Sequence, residues 1–84
     1  MDKLSEVFSD FTIINSARRL RGALLHAARI CRQQGKVTTA RLFERKARQV
    51  PRKMDKEAIN YVLVAICQQY NIRRDDNEET ITDL

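Results

Sequence analysis

Arginine is the residue type in this chain whose spacing can do chemistry. Arg18, Arg21, Arg29 and Arg32 fall on one flank of a helix that turns 100° per residue, and Arg41, Arg45 and Arg48, four and three apart, do the same on the next segment. A guanidinium is planar, permanently charged and donates through a fork that matches phosphate oxygens or a guanine edge. Two such rows suit recognition of a polyanion. Thr38 and Thr39 precede the second row, and Arg52 and Lys53 carry positive charge into the linker behind it. Between Ser16 and Lys56, 13 Lys and Arg stand against two acids, Glu44 and Asp55, a local charge of +11. The whole chain carries only +5, because residues 75–84 hold five acids and no base.

Other chemistries find little to work with. The one histidine, His26, lies between the apolar and basic sides of its helix, and no Ser/His/Asp or Cys/His/Asn grouping accompanies it. Two glycines, Gly22 and Gly35, make no phosphate-cradling loop. Cys31 and Cys67 are far apart without a histidine pattern, which predicts buried thiols rather than a disulfide or a zinc site. The expectation is a non-enzymatic protein with no cofactor, no metal and no small-molecule substrate.

Helices must hold the arginine rows in place. Leu4, Val7, Phe8, Phe11 and Ile14 share one side of a first helix over 2–14, weakened at its end by Thr12, Ile13 and Ile14. Ser16 is a credible cap for a second helix over 17–34, whose stripe is Leu20, Leu24, Ala27 and Cys31, with Leu25 standing among the arginines. Gly35 is placed to end it in a left-handed turn, and Thr38 and Thr39 are candidate caps for a third helix over 39–49. That helix is lined by Ala40, Phe43 and Ala47 and ended by Pro51. Asp55 is a candidate cap for the last helix, 58–70, whose run Tyr61–Cys67 lacks any polar residue and predicts burial on most sides.

Eighty-four residues allow one core. The fold class expected is all-α, a domain of three to four helices over 1–72 with a short helix-turn-helix-like hairpin, followed by an acidic disordered tail over 73–84. The predicted core is Leu20, Leu24, Cys31, Phe43, Val62, Leu63 and Ile66. The apolar run and Phe8 and Phe11 exceed what one small monomer covers, so a homodimer is expected. No apolar stretch reaches the roughly 20 residues of a membrane span, and the start has no signal-peptide pattern, which predicts a cytoplasmic protein without a membrane partner. The tail is placed to restrain the basic face through loose, salt-screened attraction. Deleting residues 75–84 is expected to tighten polyanion binding at low salt and leave helix content unchanged; unchanged binding would reduce the tail to a solubilising appendage.

The segment 17–49 resembles a helix-turn-helix, with Thr38, Thr39, Arg41, Arg45 and Arg48 as the reading face of its second helix. It also resembles a lone tetratricopeptide-like unit through Ala28, Gly35, Ala40 and Ala47, although Glu44 stands where an aromatic is usual and one unit cannot stack. Residues 22–67, with GALLHAARICRQQGKVTTARLFERKARQV, a polar linker and EAINYVLVAIC, resemble the small helical biofilm and acid-resistance regulators, or connector proteins, of enterobacteria. The shared layout is helix, glycine turn with Val37 and Thr38, helix, charged linker and apolar helix, over about half the chain. The resemblance implies a helical homodimer that adjusts gene expression by contacting signalling proteins, with DNA binding also attributed to such regulators. This chain is more basic than they are, and no site residue is carried across.

Two functions follow as expectations. The first is a bacterial or phage-type regulatory protein whose Arg-rich helical face acts on nucleic acid to modulate gene expression. The alternative is a helical adaptor or chaperone-like protein that binds an acidic regulatory protein without touching DNA.

Overall fold

The computed structural model describes residues 3–8 and 13–72, and the described chain contains helices and no strands. The helices are α1 (Lys3–Phe8), α2 (Ala17–Gln33), α3 (Val37–Gln49) and α4 (Lys56–Gln69). The all-α class expected from the sequence is thus observed. The first helix expected over 2–14 does not reach its end: Ile13 and Ile14 are non-helical, in keeping with the low helix propensity of that β-branched run, although Ile14 is buried in the core. Residues 9–12 of that expectation, and the acidic tail over 73–84, lie outside the described residues.

Local chemistry sets most of the boundaries. The Ser16 hydroxyl accepts the Arg19 N–H at 3.1 Å, and the Asp55 carboxylate accepts the Ala58 N–H at 2.8 Å, so both act as N-caps. Asp55 therefore starts α4 at Lys56, two residues before the apolar pattern begins. Helix α2 ends in a paired turn: the Gly35 N–H donates to the Arg32 carbonyl at 3.0 Å and the Lys36 N–H to the Cys31 carbonyl at 2.8 Å. Gly35 has φ +79°, the left-handed value this turn needs. Helix α4 ends in the same way with Asn71 at φ 56°, where the Ile72 N–H donates to the Cys67 carbonyl at 2.8 Å and Ile72 folds back into the core.

Open space surrounds the position that a Gly35 side chain would take, so a substitution there acts through the backbone alone. Gly35→Ala is expected to lower stability by about 1 kcal/mol, the cost of a left-handed L-residue. Urea unfolding would show this as a lower midpoint with an unchanged slope. A midpoint at or above that of the native chain would contradict the turn as the end of α2.

One start was misplaced. Helix α3 begins at Val37, not Thr39, and Lys36 is its N-cap residue without any side-chain cap bond. The turn closed by Gly35 leaves Lys36 outside helical geometry, at φ −92° and ψ 71°, and the helix starts at the next residue, Val37, so Thr38 and Thr39 are first-turn residues rather than caps.

Helices α2 and α3 pack on each other more extensively than any other pair, and α1 rests on α2. Ala27, Ala28, Ala40 and Ala47 are all buried, and these short side chains let the two backbones approach. Helix α4 approaches the other helices less closely along the backbone and contributes Ile59, Leu63, Ile66 and Cys67 to the core. An aromatic row ties the layers together. Phe43 of α3 stacks on Phe8 of α1 with ring centroids 5.9 Å apart and meets Tyr70 at 4.9 Å. Tyr70 follows α4, and its hydroxyl is buried without a hydrogen-bond partner among the described residues; burial, and then the Cys31 thiol, push that phenol above its ordinary range.

Of the predicted core, Leu20, Leu24, Cys31, Phe43, Leu63 and Ile66 are buried, whereas Val62 is only half-buried. The expectation that Tyr61–Cys67 is buried on most sides fails. Ala65 is exposed and Tyr61 is 76% exposed, because three short helices can cover only one side of α4. Cys31 and Cys67 are buried and form no disulfide. No described helix is long and apolar enough to cross a membrane.

Candidate polyanion-binding face

The arginine rows belong to the two helices that pack most closely. On α2, the buried stripe runs through Leu20, Leu24, Ala27 and Cys31, and Arg18, Arg29 and Arg32 are exposed beside it. Arg21 is half-buried at the edge of the stripe. Arg41, Arg45 and Arg48 are exposed on α3. Thr38 is exposed in the first turn of α3 near the angular position of Arg45, whereas half-buried Thr39 lies nearly across the helix from Arg41. Exposed Arg52 and Lys53 follow in the non-helical connection to α4.

Glu44 joins the two rows, and it is the only acid between residues 17 and 49. Its carboxylate accepts two hydrogen bonds from one guanidinium nitrogen of Arg32, Nη2, at 2.9 and 3.0 Å, and one from Arg32 Nε at 3.1 Å. This fork spans α2 and α3. The Arg32 hydrogen bonds hold the Glu44 carboxyl below the ordinary carboxylate range against the opposing effect of desolvation, and the charges of Arg32, Arg48 and Arg41 add to the depression. Arg32 is correspondingly raised, first by the hydrogen bond and then by the charge of Glu44. Arg32 thus pairs with Glu44 across the seam between the helices, while Arg41 and Arg48, three residues before and four after Glu44 on α3, act on it through their charge alone.

Because the folded-state value of Glu44 is depressed, its contribution is complete above the ordinary carboxylate pKa and is lost as pH falls through the lowered value. The pair is exposed at both ends, 46% and 33%, so its main effect is on the charge of the face rather than on stability. Glu44→Gln is expected to release Arg32 and raise the positive charge of the seam. Polyanion affinity should rise and its salt dependence should steepen by about one unit for the added phosphate contact. Weaker binding by this variant would mean that Glu44 positions Arg32 for the ligand.

Sequence reasoning placed the arginines but not the part played by Glu44. The available signal was its isolation, a lone acid in two basic helices. Leu25 is 48% exposed, and Arg18, Arg21, Arg29 and Arg32 are its neighbours at four and seven residues along α2. His26 is exposed and lines a cleft between α1 and α2 together with Val7, Ile14, Arg19 and Ile30. Among the described residues no group of three or more His, Cys, Asp or Glu is placed to hold a metal ion. Comparisons with protein families, with curated proteins and with solved structures find no match for this chain.

Proposed function

We propose that this chain is a small, non-enzymatic regulatory protein that binds the phosphate backbone of nucleic acid through the arginine face of α2 and α3. The observation that carries the reading is the Arg32–Glu44 fork across the α2–α3 seam, which sets the arginine row of α2 beside Arg41 and Arg48, one turn to either side of Glu44 on α3. Arg18 and Arg29 extend it along α2, and Arg45 extends it along α3. Phosphate contacts of this kind give affinity and orientation, while sequence selection needs base-edge contacts. In a helix-turn-helix use of the same elements, Thr38, Arg41, Arg45 and Arg48 would face the bases or their flanking phosphates, with Arg52 and Lys53 adding backbone contacts. Modulation of gene expression by a dimer in the cytoplasm completes the proposal, in keeping with the resemblance to the connector proteins.

A second reading is favoured by Leu25. An exposed leucine ringed by arginines fits an acidic helix that inserts one apolar side chain, which is how an adaptor for an acidic regulatory protein would bind. The two readings part in a pull-down from cell extract with and without nuclease. Under the nucleic-acid reading, captured material is lost on nuclease treatment. A single acidic protein retained in stoichiometric amount after nuclease, and released by Leu25→Asp, would replace it with the adaptor.

A further inference from the structure

The surface of α4 that points away from the core differs from the outer surfaces of α2 and α3. From Ala58 to Ile72 the sequence has no charged residue. Tyr61 is 76% exposed, Ala65 is exposed, and Ala58, Val62 and Val64 are half-buried, so beyond exposed Glu57 in its first turn the outward side of α4 is an uncharged strip, with Gln68 and Gln69 exposed beside Tyr61 and Ala65. The outer sides of α2 and α3 carry exposed Arg18, Arg19, Arg29, Arg32, Arg41, Arg45 and Arg48, all of one sign.

This charge pattern selects the occupant. Two copies of a chain carrying +5 repel each other wherever their arginine faces meet, and the α4 strip lets them approach without that repulsion. A polyanion has no cation to contact there. Shape points the same way, because Tyr61 and Ala65 are four residues apart and lie one turn from each other on the strip. In a two-fold interface each patch must complement itself. Antiparallel packing seats the large ring over the small side chain twice, whereas parallel packing would set ring on ring and leave a gap at the alanines.

We propose that a second copy of this chain packs antiparallel on the exposed side of α4, with Tyr61 of each copy over Ala65 of the other. The inference gives the dimeric part of the proposed function a surface and a geometry. It is tested without nucleic acid, so it stands or falls apart from the arginine face.

The test is sedimentation equilibrium of the full chain, with circular dichroism to confirm unchanged helix content in variants of these exposed positions. The native chain should be dimeric at about 100 μM, a concentration at which even weak association is populated. Tyr61→Arg and Ala65→Glu should each be monomeric alone, because each buries an unpaired charge twice. Mixed in equal amounts they should form a heterodimer, since the arginine then meets the glutamate and the second Tyr–Ala contact is intact. A monomeric native chain, dimers of either variant alone, or a mixture that stays monomeric would each overturn the proposal.

Discussion

Replacing Phe43 with alanine is expected to leave about half of the molecules unfolded at room temperature. Phe43 is fully buried and, among the described residues, is the one whose ring meets both Phe8 and Tyr70, so its loss empties the middle of the layer that joins α1, α3 and the end of α4. Truncating a buried phenylalanine costs about 3 to 5 kcal/mol through lost transfer energy and the cavity that remains. A single core in a chain this small supplies a net stability of about the same size, roughly 3 to 5 kcal/mol. The two quantities therefore cancel. Phe43→Leu fills more of the space and should keep a cooperative transition at a lower midpoint. Helix content of Phe43→Ala by circular dichroism is the measurement, and a thermal transition within a few degrees of the native chain's would show that the aromatic row is not what holds the layers together.

What the sequence makes legible here is mostly local. Ser16, Gly35 and Asp55 act within a few residues of themselves, and each was readable because a cap or a left-handed turn depends on side-chain type rather than on distant contacts. The start of α3 was not readable, because the chain enters the helix at Val37 from turn geometry that leaves no mark on residue type. The outer side of α4 misled for a different reason. A run without polar residues reports burial only when something covers it, and the count of covering helices is a property of the whole fold. The arginine rows were legible from their spacing. Their meeting at Glu44 was not, since α2 and α3 had to be packed before Arg32 could reach across 12 residues of sequence.

Neutralising Arg41, Arg45 and Arg48 together to glutamine is expected to weaken nucleic-acid binding far more than it alters the fold. All three are exposed, and the Arg32–Glu44 fork that links the helices remains. Each lost phosphate contact removes about 0.9 from the slope of log K against log salt, so the slope should fall by about 2.7 and the affinity at 0.1 M salt by on the order of 100-fold. Arg19, Lys46 and Lys56 lie outside that row, so neutralising these three, an equal loss of three charges, should cost less. Equal losses from both sets would mean that net charge matters and the face does not.

The central claim is that the α2–α3 arginine face binds phosphates, and its most direct test is the salt dependence of the full chain's binding to duplex DNA of random sequence. Arg18, Arg29, Arg41, Arg45 and Arg48 are exposed and make no hydrogen bond to Glu44. If all five meet phosphates, log K should fall linearly with log salt with a slope of about −4 to −5. A slope shallower than about −1, or no measurable binding at about 50 mM salt where counterion release is strongly favourable, would contradict the account.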